Sequence, residues 1–129
     1  RWVVTKLINA LNERKKVLNG CKILILGVAY KKDIDDIRES PAIEIIRILE
    51  NQGAKVKYVD PHVNFFIQKS NNKKFKSVIL NINKLKESDV VILVTNHSKF
   101  DYELIEKHSN LIVDTRGVFS NFSNKIIRA

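Results

Sequence analysis

Apolar residues recur along this chain with two different periods. Val4, Leu7, Ile8 and Leu11 fall at i, i+3, i+4 and i+7, which places them on one face of an α-helix, and Trp2 and Val3 widen that face. The spacing predicts a leading helix that stops near Leu18-Asn19-Gly20, with Gly20 as the stop signal. The next run, CKILILG, is short, continuously apolar and bounded by glycines, as expected of a strand buried on both faces of a parallel sheet. Ser40 and Pro41 then form a helix start, an N-cap followed by a residue whose missing N–H costs nothing at the first helical position. Ala42, Ile45, Ile46 and Leu49 make the apolar stripe of that helix, Gly53 ends it, and KVKYV reads as a second strand closing at the Asp60-Pro61 turn.

From His62 to Asn81 the pattern is weakest; a short helix at NFFIQK, a basic loop at SNNKKF and a brief strand at SVIL are expected there. Beyond it, NKLKES reads as a short helix, DVVILV as a central strand, DYELIEKH as a helix and LIVD as a strand. This β-α-β-α-β alternation predicts an α/β fold: a Rossmann-like, doubly wound parallel sheet in three α/β/α layers, preceded by the leading helix.

In such sheets ligands bind beyond the carboxyl ends of the strands, near the point where strand order reverses. Those ends deliver GVAYKKDIDDIRES, Asp60, TNHS and DTRGV, so polar and charged residues concentrate at one rim. The first of these loops lacks the G-x-G-x-x-G spacing that brings backbone N–H groups against a pyrophosphate, since only Gly27 is present. Phosphate neutralisation would fall to side chains, namely Lys31, Lys32 and Arg38. Arg38 admits two readings, a bidentate phosphate ligand or an ion pair with Asp35 or Asp36 that pins the loop. Asp60 occupies the place of a ribose-binding acid, but without the glycine fingerprint an Asp-Pro turn explains it better. His97 has no nucleophile or metal-ligand companion spaced to work with it; a hydrogen-bonded structural histidine is expected, and no metal site.

Composition narrows the field. The 129 residues suffice for one domain with a core, and 44% apolar content fits an ordinary globular protein. The longest apolar runs are far short of a membrane span, so a cytoplasmic protein without membrane contact is expected. Cys21, the only cysteine, excludes an intrachain disulfide and reads as a packed thiol at the opposite rim. The sequence contains no methionine, which leads us to expect part of a longer polypeptide. A net charge of +9 favours anionic partners, although much of it lies in the lysines of NERKK and NNKKFK and suits a solvated face. A nucleic-acid-binding module is the competing reading, disfavoured because the basic residues are not interleaved with stacking aromatics; no nucleic-acid partner is expected.

The motifs GVAYKKDIDDIRESPAIEII, GAKVKYVDP, SDVVILVTNHSKFDY and LIVDTRGV together resemble the C-terminal UDP-binding domain of the UDP-glucose/GDP-mannose dehydrogenase family, in the same order and over nearly the whole chain. Within it, GVAYK, TNHS and DTR are most similar to UDP-N-acetylglucosamine and UDP-N-acetylmannosamine 6-dehydrogenases, with UDP-glucose 6-dehydrogenase as the alternative. The resemblance implies an enzyme that oxidises a sugar C6 alcohol to a carboxylate with NAD, through a thioester-forming cysteine, in homo-oligomers. It implies that residues 1–18 end a central linking helical region and that residues 19–129 form the UDP-sugar-binding domain. The NAD-binding domain and catalytic cysteine would then lie in the rest of the polypeptide, leaving no catalytic residue here and this chain inactive alone. Position by position, it implies UDP-sugar contacts from Tyr30, Lys31 and Arg116, and a contact from Arg38 to the pyrophosphate of NAD held by another domain. Lys32, Asn96 and Gly117 depart from the family's usual proline, aspartate and asparagine, which bears on sugar specificity.

Overall fold

The computed structural model describes residues 2–33, 36–38, 40–119 and 123–129. In chain order the elements are α1 (Trp2–Glu13), β1 (Lys22–Leu26), α2 (Pro41–Asn51), β2 (Lys55–Val59), β3 (Phe65–Gln68), β4 (Lys73–Lys76), α3 (Ile82–Glu87), β5 (Val90–Leu93), α4 (Tyr102–His108), β6 (Ile112–Asp114) and β7 (Ile126–Arg128). Five strands form a parallel sheet in the order β2-β1-β5-β6-β7. The expected α/β, Rossmann-like architecture is therefore present.

The continuous apolar character of β1 follows from its two covered faces. Ile23 and Ile25 pack with Leu7 and Leu11 of α1 and with Ile46 and Leu49 of α2. Leu24 and Leu26 face the other way, onto Leu85 of α3 and Ile105 of α4. Burying each such side chain contributes roughly 1.5–3 kcal/mol, so the strand is held from both sides. Ser40 caps α2 as expected, its Oγ accepting from the Ala42 N–H at 3.2 Å.

Three boundaries differ from the sequence reading. Helix α1 stops at Glu13 rather than near Gly20, because nothing apolar follows Leu11 on its inner face until Leu18. Lys15 takes a left-handed conformation (φ 57°) and the Lys16 N–H returns to the Leu11 carbonyl at 2.9 Å, which closes the helix. The expected helix at NFFIQK is strand β3 and the expected basic loop contains strand β4, the two forming an antiparallel hairpin, while SVIL forms no strand beyond a bridge from Ser77 to Tyr58. Phe66, Gln68 and Phe75 point inward while Phe65, Ile67 and Lys74 point out, a period of two, and Asn71 and Asn72 (φ 56°) supply the turn. Strand β7, which adds the sheet's last edge, was not anticipated from KIIRA.

Candidate functional site

The chain leaves β1 for β2 on one side and later returns to β5 on the other, so strand order reverses between β1 and β5. Gly27 is required there: its φ is +92°, and a Cβ would lie 2.4 Å from the Thr95 Cβ and 2.9 Å from the Thr95 backbone nitrogen. Thr95 Oγ1 donates to the Ala29 carbonyl at 2.7 Å, which fastens the loop after β1 to the loop after β5.

Asp60, at the end of β2, holds the same loop from the other side. Its Oδ2 accepts from the Val28 and Ala29 N–H groups at 2.8 and 3.0 Å, and its Oδ1 from the His62 N–H at 2.8 Å. Burial pushes its carboxyl up, but the hydrogen bonds from His97, Val28, His62 and Ala29 outweigh burial and hold it below the usual carboxylate range. Asp60 thus does more than start a turn. An internal carboxylate already occupies two backbone donors of the loop that in a glycine fingerprint would meet a pyrophosphate. These residues do not fit a dinucleotide bound in that mode.

His97 is fully buried, as a structural histidine should be. Its Nδ1 accepts from the Asp33 N–H at 2.8 Å, an arrangement that assigns the ring proton to Nε2, which donates to Asp60 Oδ2 at 3.0 Å. The Asp33 carboxylate in turn accepts from the Ser98 N–H and Oγ, both at 2.8 Å, and these bonds hold it below its ordinary pKa. His62, which the sequence reading passed over, stacks at a tilt on His97 with ring centres 4.7 Å apart. Its position directly after the strand-ending Asp-Pro was the available signal.

The residues singled out from the sequence lie on this rim, in separate loops. Tyr30 is exposed, and Lys31, also exposed, places its Nζ 5.8 Å from the Tyr30 ring centre. Arg116 is exposed beyond β6 on a turn shaped by the buried Asp114, which accepts from the Arg116, Gly117 and Phe119 N–H groups at 2.9 Å each. With β5 between them, the strands that lead into these two loops, β1 and β6, lie two strand spacings apart, roughly 10 Å. Arg38 forms a two-pronged pair with Asp36, through Nε and Nη2, while its side chain stays 87% exposed. That pairing draws the Asp36 carboxyl down to about 2. The alternative partner, Asp35, lies outside the described residues.

Arg38 also lines a cleft of about 460 Å³ with Ile37, Ser40, Ile43, Phe66 and Gln68. A second groove, of about 470 Å³, runs beside Val59, Pro61, Ser77 and Phe100. Neither contains Tyr30, Lys31 or Arg116, which present an open surface instead of an enclosed pocket. Cys21 is buried at the opposite end of β1; burial, then the nearby Asp89 carboxylate, push its thiol up to about 11, so it is a packed thiol and no nucleophile. Among the described residues no helix is long and apolar enough to cross a membrane.

Known proteins are similar to this chain in sequence and in fold. A UDP-N-acetyl-D-mannosamine dehydrogenase of Campylobacter jejuni is 32% identical over 108 residues, covering 83% of this chain and 26% of that protein. A UDP-glucose 6-dehydrogenase of Rickettsia prowazekii (strain Madrid E) is 35% identical over 115 residues, covering 81% of this chain and 25% of that protein. This chain therefore spans about a quarter of the length of the curated relatives it matches. The solved structure of a UDP-D-ManNAc dehydrogenase from Pyrococcus horikoshii superposes on 98% of this chain and 29% of that one, with a TM-score of 0.76; at 23% identity it shows the shared fold. The family described as UDP-glucose/GDP-mannose dehydrogenase family, UDP binding domain, matches residues 24–121, well over half of the sequence. A parallel sheet whose first loop is filled by its own carboxylate and whose rim presents exposed basic side chains is thus the UDP-binding domain of a member of the UDP-glucose/GDP-mannose dehydrogenase family.

Proposed function

We propose that this chain is the nucleotide-sugar-binding part of an NAD-dependent UDP-sugar 6-dehydrogenase, which oxidises the C6 alcohol of a UDP-N-acetylhexosamine to a carboxylate. The observation behind this reading is the division of labour at the rim. Asp60 occupies the backbone donors after β1, so an anionic ligand must be met by side chains, and Tyr30, Lys31 and Arg116 stand exposed there. Lys31 and Arg116 neutralise the diphosphate of UDP, and Tyr30 offers a packing surface to the nucleotide or sugar. Arg38, anchored by Asp36 yet open to solvent, extends toward the pyrophosphate of NAD held by another domain of the full polypeptide. Residues 1–18 end the linking helical region and residues 19–129 form the domain proper. The full-length protein is a cytoplasmic homo-oligomer acting in surface-polysaccharide synthesis.

Lys31→Ala in the full-length enzyme tests the site. The expected result is a KM for the UDP-sugar raised tenfold or more, about 1.4 kcal/mol of lost binding, or a loss of turnover; wild-type kinetics would sink the assignment. Turnover with UDP-glucose in place of the UDP-N-acetylhexosamines would move the substrate to the alternative within the family.

A further inference from the structure

Three rim loops that are distant in sequence bring Asp33, His62 and His97 together. One carboxylate oxygen and one nitrogen from each imidazole lie within 4.8 Å of one another. Asp33 Oδ1 is 3.9 Å from both His62 Nε2 and His97 Nδ1. His62 Nε2 is buried with no hydrogen-bond partner, an expensive state for a nitrogen lone pair or N–H. His97 donates its other ring N–H to the Asp60 carboxylate, which is how imidazoles that bind metals are usually oriented by a second carboxylate.

We propose that Asp33, His62 and His97 form a binding site for a divalent transition-metal ion of the zinc class, which ties the three rim loops together. Two imidazoles and a carboxylate are a donor set that zinc accepts with a fourth position left to water. The solvent-facing side of the site is the partly exposed Asp33 carboxylate. Zinc bonds of about 2.0–2.1 Å set tetrahedral ligand atoms roughly 3.3 Å apart, so the loops must close by roughly an ångström. Coordination at His97 Nδ1 replaces the hydrogen bond from the Asp33 N–H. Asp33 is exposed and already in the left-handed region (φ 60°), so water can take over that donor. The Asp33 carboxylate keeps lone pairs free beside the two bonds from Ser98. The proposal is independent of the nucleotide-sugar reading, because zinc binding is measured without UDP.

The test is calorimetric titration of the chain with zinc alone, repeated on His62→Gln and Asp33→Asn. Both changes lie at partly exposed positions, and circular dichroism checks that each variant folds. The expected result is one zinc per folded chain, bound about tenfold or more weakly by each variant. Absence of binding to the wild type, or equal affinity in wild type and both variants, would overturn the proposal. Cobalt in place of zinc gives a second readout: visible ligand-field bands without a thiolate charge-transfer band are expected, whereas a thiolate band would place the ion at Cys21 and reject the site.

Discussion

The Asp60 carboxylate accepts four hydrogen bonds, from Val28, Ala29, His62 and His97, while being almost wholly buried. Asp60→Asn keeps the shape but turns an amide N–H toward groups that are themselves donors, so it should cost about 2–4 kcal/mol in urea unfolding of this chain. The pH dependence has a definite sign. The folded carboxyl sits below its unfolded value of about 4, so its contribution is complete above that pH and is lost as pH falls through the lower folded value. Wild-type stability should therefore fall more steeply on acidification below about pH 4 than that of Asp60→Asn. The Asp36 side chain is 34% exposed, and its carboxylate accepts from the backbone and side chain of Arg38. With its carboxyl at about 2, its pairing with Arg38 persists throughout neutral and mildly acid solution. Asp36→Asn in the full-length enzyme should weaken NAD binding more than UDP-sugar binding, and unchanged affinities for both would remove its orienting role. Cys21, protonated and packed, should resist maleimide at neutral pH until the chain is unfolded in urea, whereas labelling at the rate of a free thiol would contradict its burial.

Among the elements, the β1–α2 connection is the most constrained. Gly27→Ala combines a left-handed backbone with a Cβ pressed on the Thr95 backbone, which cannot rotate away, and should destabilise by about 2–4 kcal/mol in denaturant melts. Strands β1, β2, β5 and β6 and helices α2, α3 and α4 were legible because each is an apolar run or stripe with its own start or stop residue. The hairpin was not, for a physical reason. Phe75 is the lone apolar residue of KKFK, so β4 has no period of its own. It exists because Phe75 stacks on Phe66 (ring centres 5.1 Å apart), which in turn packs on Tyr58 at 5.2 Å. Helix α1 misled at its end in a similar way. A glycine stop was visible at Gly20, but the helix ended where its apolar face ran out.

At the scale of the whole molecule, α1 belongs to the core that holds the sheet, since Leu7 and Leu11 sit in one cluster with Ile23, Ile25 and Ile46. Leu7→Ala should cost about 2–5 kcal/mol by leaving a cavity between α1 and the sheet. The net charge of +9 adds a long-range field that favours anionic ligands. UDP affinity should weaken as salt is raised, because the exposed Lys31 and Arg116 are screened within a Debye length of about 8 Å at physiological ionic strength.

The residues themselves determined the layered α/β architecture and the gathering of polar loops at the carboxyl rim, because hydrophobic period and cap chemistry are local properties. They also offered Arg38 a carboxylate partner in Asp35 or Asp36, and the structure shows the two-pronged pair with Asp36. Only the tertiary structure decided that Asp60 fills the first loop, that Thr95 presses on Gly27, and that Asp33, His62 and His97 meet. Those contacts join loops 29 to 68 residues apart, and it is the strand order β2-β1-β5 that sets their carboxyl ends side by side. A local pattern has no means of encoding which distant donor turns toward which carboxylate, because that direction is fixed only when the sheet has closed.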